Sequence, residues 1–132
     1  MKAVITGGAG FIGSHLAQRL VADGHTVTVL DDLSCGRMDN LAEVKDHPEF
    51  AFHPLDVCEY HEILPHFDGV DWVFHLAGLA DVVPSIVDPL KYHRVNVDGT
   101  AAVLEAARQS GIRKFLYAAS SSCYGIPDNY PT

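Results

Sequence analysis

Three glycines stand three residues apart at Gly7, Gly10 and Gly13, within a segment running from Thr6 to Gly13 that satisfies both G-x-G-x-x-G and G-x-x-G-x-x-G. The chemistry such spacing serves is the cradling of a diphosphate. Gly7 permits a tight turn, Gly10 lets backbone approach a pyrophosphate with no Cβ in the way, and Gly13 allows a following helix to pack closely. The N–H groups of Phe11 and Ile12, at the start of that helix, then face the anion with the helix dipole behind them. A second chemical position is Asp31, whose carboxylate can accept from ribose hydroxyls and repel a 2′-phosphate. Asp32 follows it and no arginine occurs until Arg37, so the pair favours NAD over NADP. One of the two acids is expected to cap the turn instead. A third position is Ser120, a hydroxyl that both donates and accepts. Ser121 and Ser122 compete with it, and three serines in a row also suit a tight turn.

These residues need elements to hold them. Ala3–Thr6 reads as a first strand, followed by a helix with apolar Ile12, Leu16 and Leu20, joined by Ala17 and Val21, and Gly24 at its left-handed cap. Thr26–Leu30 reads as a strand covered on both faces. Phe50–Leu55, Asp71–Leu76 and Lys114–Ala119 are the remaining strands, with a short helix over Glu59–His66. A long helical stretch broken near Asp88 and Pro89 draws its apolar face from Val95, Val103, Leu104 and Ala107. Strands alternating with helices predict right-handed crossovers and a doubly wound parallel α/β sheet, with Ser120 at the end of the fifth strand, where open sheets present their chemistry.

The 132 residues suit one domain, with any substrate domain outside the chain. A formal net charge of −8 would repel a phosphate backbone, which argues against nucleic acid as a partner. No apolar run reaches the roughly 18–20 residues of a membrane span and no signal segment opens the chain, so a soluble, cytoplasmic protein is expected. Cys35, Cys58 and Cys123 are odd in number and lack C-x-x-C spacing, which fits reduced thiols, and the eight histidines show no metal-ligand spacing.

Taken together, the segments Thr6–Gly13, Asp31–Gly36, Asp56–Val57, His75–Gly78, Asn96–Thr100 and Ser120–Gly125 resemble the extended short-chain dehydrogenase/reductase family. Within it they are most similar to the UDP-glucose 4-epimerase group of sugar-nucleotide epimerases. The resemblance implies a Rossmann fold with NAD bound by Phe11 and Ile12 at the pyrophosphate. It places Asp31, Asp32, Leu33, Ser34, Cys35 and Gly36 around the adenosine ribose and Asp56 and Val57 at the adenine edge. Leu76, Ala77 and Gly78 would line the inner side of the cofactor, and Asn96 would hold nearby backbone or ribose. On the substrate side it implies Ser120 as the catalytic hydroxyl, with Ser85 and Ser122 as further contacts to a nucleotide-sugar, UDP-linked in this group. A lysine that the family places near the phosphates is here Ala80.

The family completes its site with a Tyr-x-x-x-Lys pair on the next helix, and none occurs here, since residues four beyond Tyr60, Tyr92, Tyr117 and Tyr124 are Leu64, Asn96, Ser121 and Asp128. The chain is therefore expected to be a truncated sheet ending after about its fifth strand, binding cofactor without turnover, while the longer parent forms a homodimer through the helix near Val95–Ala107. The implied reaction is transient oxidation at the sugar C4, followed by hydride return to the other face. Two alternatives stand beside it. A 4,6-dehydratase would carry an Asp-Glu pair where this chain has Ser121 and Ser122, and a non-catalytic NAD-binding module would bind without turnover even in the parent.

Overall fold

The computed structural model describes residues 1–120 and 124–126. Five strands, β1 (Lys2–Thr6), β2 (Thr26–Leu30), β3 (Phe50–His53), β4 (Trp72–His75) and β5 (Lys114–Tyr117), form one parallel sheet in the order β3-β2-β1-β4-β5. The chain winds outward from β1 to β3, then returns to the other side of β1 to build β4 and β5. This reversal opens a crevice between the carboxyl ends of β1 and β4, the switch point at which such sheets bind ligands. The register is flush there, with Thr6 beside both Leu30 and His75, Leu30 beside His53, and His75 beside Tyr117.

Strand alternation sends successive side chains to opposite faces, and each face is covered. Ala3, Ile5, Val27, Val29 and Phe74 pack with Ala17, Leu20 and Val21 of α1 (Phe11–Ala22) and with Leu41 and Val44. Val4, Leu30 and Val73 pack on the other face with Val57, with Ile63 of α2 (Tyr60–Ile63), with Phe67, and with Val103, Ala106 and Ala107 of α5 (Thr100–Gln109). Gly24 and Gly111 both take positive φ, and His25 and Ile112 donate back to Leu20 and Ala107, so α1 and α5 end in the same left-handed cap.

Several expected bounds move. β3, β4 and β5 are shorter than their apolar runs, and the helix expected over Glu59–His66 is α2 followed by a tighter 3-10 turn, Leu64–Phe67. Ile12 is 66% exposed and Leu104 47%, so neither belongs to the buried helix face assigned to it. For α1 the reason is Gly13, which is jammed against the glycine loop and turns Ala17, Leu20 and Val21 inward while Ile12 faces out. The long helical stretch is broken twice. α3 (Val82–Val87) and α4 (Pro89–His93) meet at Asp88, which caps α4 by accepting from Lys91 N–H, and a π-helical turn, Arg94–Gly99, separates α4 from α5. Among the described residues no helix is long and apolar enough to cross a membrane.

Candidate cofactor site

The glycine loop joins β1 to α1 at the crevice, and two of its glycines are fixed by what a side chain would strike. Gly7 has φ 69°, and a Cβ there would lie 2.7 Å from the Ala77 nitrogen in the loop after β4. A Cβ on Gly13 would lie 2.4 Å from the Gly7 carbonyl oxygen and 2.6 Å from the Gly8 Cα, so the close packing that Gly13 permits is against the loop itself. Gly8, which sequence reasoning passed over, is equally confined, because the Val29 side chain occupies the space its Cβ would need. Gly10 is the N-cap of α1, with no side-chain cap and no acid in the first turn. Phe11 and Ile12 follow it, where helix geometry leaves N–H groups without an intrahelical acceptor. Their side chains are exposed, and neither residue is among those that line the crevice.

Asp31 leaves the end of β2 and is buried against the loop. Its Oδ2 accepts from Ala9 N–H at 2.9 Å and its Oδ1 from Leu33 N–H at 2.8 Å. Asp32 Oδ1 accepts from Ser34 N–H at 2.9 Å. Both acids therefore cap the turn, where one was expected to. Each Asp31 oxygen keeps a second lone pair for a ribose hydroxyl. The Ala9 carbonyl accepts from Arg37 N–H and from the Asn40 side chain, so the segment after β2 holds Ala9 by both its N–H and its carbonyl. Asn40 carried no sequence signal, since its role depends on a loop packing back over Ala9.

The crevice is lined by Gly7, Gly10, Asp31, Asp32, Ser34, Cys35, Gly36, Asp56, Val57, Leu76, Ala77 and Gly78, together with Leu55, Leu79 and Val95. The last three were missed. Each of the three flanks a residue that was singled out, and Val95 lies in the π-helical turn. Leu33 stands apart: its φ of 60° turns its side chain into the core, leaving only its N–H on Asp31. Asn96 lies off the crevice. Its carboxamide accepts from Leu79 N–H at 2.8 Å and donates to the Leu79 carbonyl at 2.9 Å, so it grips the backbone of the wall.

On the far side of the crevice, Arg94 donates to Asp56 at 2.8 Å and to Glu59 at 2.7 Å, tying the π-helical turn to the segment after β3. Burial pushes the Asp56 carboxyl up, but the Cys58 N–H and the Arg94 guanidinium pull it down further, and it rests below the usual carboxylate range. Burial, with the Asp56 carboxylate beside it, pushes the Cys58 thiol up to about 11, so this cysteine stays a thiol at neutral pH.

A second hollow shares Leu79 with the first and is lined by Ala80, Ser85, Tyr92 and Asn96 among others. Ser85 sits there on α3, its hydroxyl donating to the Val82 carbonyl at 2.6 Å. Ala80 brings no charge to it. Ser120 is exposed and lies three residues past the end of β5 rather than at it. Ser121, Ser122 and Cys123 lie outside the described residues.

A glycine cradle with no room for side chains, a helix N-terminus and a buried acid at the end of the next strand fit a dinucleotide. Residues 3–132 match the NAD dependent epimerase/dehydratase family. The chain is 44% identical over its whole length to UDP-glucose 4-epimerase of Mycolicibacterium smegmatis, covering 43% of that protein. It is 38% identical over 98% of its length to UDP-glucuronic acid decarboxylase 1 of Danio rerio, covering 30% of it. The structure of UDP-glucose 4-epimerase from Bifidobacterium longum in complex with NAD+ and UDP superposes with a TM-score of 0.89 over all of this chain and 41% of that one, at 26% identity. The chain thus spans well under half the length of these relatives. The chain belongs to the NAD dependent epimerase/dehydratase family.

Proposed function

We propose that this chain is the NAD-binding portion of a nucleotide-sugar epimerase of the UDP-hexose 4-epimerase type. The observation that carries this reading is that Leu79 lines both the crevice and a second hollow holding Ser85. In this reading a cofactor and a substrate sugar occupy these neighbouring hollows. In this reading Phe11 and Ile12 N–H groups hold the diphosphate, Asp31, Asp32, Ser34, Cys35 and Gly36 surround the adenosine ribose, and Asp56 and Val57 meet the adenine. NAD, when bound, supplies a hydride acceptor that can also return the hydride. Ser120 orients the sugar hydroxyl by accepting and donating hydrogen bonds, with Ser122 as a further substrate contact. Residues 1–132 contain no Tyr-x-x-x-Lys spacing, so the chain by itself is read as binding cofactor without turnover. Exposed Val97 and Leu104 support a dimer face on the parent.

Ser121 and Ser122, standing where a 4,6-dehydratase would carry Asp and Glu, favour epimerisation over loss of water. Decarboxylation of a UDP-uronic acid is a second reading, favoured by the 38% identity to a UDP-glucuronic acid decarboxylase. The deciding assay presents the full-length protein with UDP-glucose and, separately, UDP-glucuronic acid. Interconversion with UDP-galactose, reduced about a hundredfold or more in Ser120→Ala with NAD retention unchanged, is the expected result. Carbon dioxide released from the uronic acid with no interconversion would replace this reading with the second. Binding of NAD with turnover of neither would leave a non-catalytic module.

A further inference from the structure

His75 closes β4 and immediately precedes the Leu76–Leu79 wall of the NAD crevice. Its side chain is wholly buried, yet both ring nitrogens are engaged: Nδ1 lies 2.7 Å from Thr6 Oγ1 and Nε2 lies 2.9 Å from Thr100 Oγ1. The direction of these bonds follows from their neighbours. Thr100 has one hydroxyl proton, and it is given to the Asn96 carbonyl at 2.7 Å. Thr100 must then accept from the imidazole, which places the proton on Nε2 and leaves Nδ1 bare to accept from Thr6. Thr6 Oγ1 accepts in turn from Ala77 N–H at 3.3 Å.

Both ends of this chain come back to the same short loop. One end is Ala77 N–H. The other is Asn96, whose carboxamide grips the N–H and carbonyl of Leu79. We propose that His75 is a positioning residue for the cofactor: as its Nε2–H tautomer it closes a ring of hydrogen bonds, one-way from Ala77 N–H to the Asn96 carbonyl, that holds the Ala77–Leu79 wall of the crevice against the π-helical turn. The ring runs from Ala77 through Thr6, His75, Thr100 and Asn96 to Leu79, joining β1, β4 and the start of α5.

The surroundings support a neutral ring. Phe115 packs at 6.0 Å between centroids and Tyr117 stacks at 5.7 Å and 20°, so β5 offers the imidazole no carboxylate, and β1 and α5 face it with hydroxyls alone. Burial lowers its pKa to about 4. A proton on Nδ1 would meet a Thr6 oxygen already taking Ala77 N–H and would reverse the ring at that point. The inference rests on the crevice being the NAD site, but the tautomer itself does not.

The test has two arms. Long-range proton–nitrogen NMR of the nitrogen-labelled protein, without NAD, reads which His75 nitrogen carries the proton. Nε2 protonated and Nδ1 bare at neutral pH is expected, and either the opposite tautomer or an imidazolium overturns the ring. The second arm measures NAD affinity by calorimetry in Thr6→Val, Thr100→Val and the double variant, which keep shape while removing hydroxyls. Each single change is expected to weaken binding roughly three- to tenfold, and the double no more than the worse single, because either cut opens the same ring. Thr6→Ser and Thr100→Ser, which restore the hydroxyl, should bind like the unaltered protein. Folded valine variants that bind NAD normally, losses that multiply, or serine variants as weak as the valine ones would overturn the positioning role. Absence of NAD binding in the unaltered protein would overturn the site assignment instead, leaving the tautomer to decide the ring.

Discussion

Replacing Asp31 by alanine separates two jobs held by one carboxylate. In the structure each of its oxygens already accepts a backbone hydrogen bond, at 2.9 Å from Ala9 and 2.8 Å from Leu33, and the residue is 7% exposed. Alanine leaves both N–H groups without that acceptor. An unmet buried donor costs about 1–3 kcal/mol, and the Leu33 amide is only part-buried, so the loss should be about 2–4 kcal/mol. Against a typical domain stability of about 5–15 kcal/mol, most molecules remain folded, and urea denaturation without ligand reads the difference. A fall in NAD affinity alone would be ambiguous, because a loosened cradle weakens every dinucleotide. The ratio of NADP to NAD dissociation constants removes that ambiguity, since any shrinkage of the competent population multiplies both equally. With the carboxylate present, a 2′-phosphate meets a like charge, a repulsion of about 1–3 kcal/mol at a partly solvated site, or about 5- to 150-fold in the ratio. Asp31→Ala should reduce that ratio severalfold while Asp32 preserves part of it. Lost stability with an unchanged ratio would make Asp31 a staple of the loop and nothing more. An unchanged urea midpoint would refute the hydrogen-bond argument from the other side.

Acid should weaken the fold through His75. An unfolded imidazole takes its proton near 6.5, while the buried one resists it until about 4, so between those values the unfolded state holds the extra proton. The stability at stake is complete above the higher value and drains as pH falls toward the lower, by at most about 3 kcal/mol. Urea midpoints at pH 7 and pH 5 should therefore draw together in His75→Asn relative to the unaltered protein, and an equal gap in both would contradict the burial argument. Gly13→Ala sets two effects against each other. Alanine favours a helix over glycine by about 1 kcal/mol, but its Cβ would sit 2.4 Å from a backbone oxygen and 2.6 Å from a Cα that cannot swing aside. The clash should win, with a net loss of about 1–3 kcal/mol by thermal denaturation and weaker NAD binding. A stabilised variant that binds normally would show that the loop has slack.

What could be read from residue order was whatever repeats locally. The five strands announced themselves by short β-branched and apolar runs, the first helix by its period and the left-handed cap at Gly24, and the glycine loop by three glycines placed between a strand and a helix. The parallel order followed, because strand–helix alternation leaves few other ways to cover both faces of a sheet. Of the crevice lining, Gly7, Gly10, Asp31 and Asp32 were legible from residue type and placement, whereas Ser34–Gly36, Asp56, Val57 and Leu76–Gly78 came from the resemblance to the family. Tertiary structure decided the rest. Whether Ile12 or Ala17 faces the core depends on how tightly Gly13 packs against a loop, which no periodicity records. Val95 lines the crevice and Asn96 holds Leu79 from within a π-helical turn that the sequence does not signal, and Asn40 matters because its loop folds back over Ala9. Thr6 and His75 are 69 residues apart and meet because β1 and β4 are neighbours in register. Contacts of that kind belong to the assembled sheet, in which the preferences of distant segments are settled together, and so a histidine whose partners the sequence does not name becomes the link between two walls of the site.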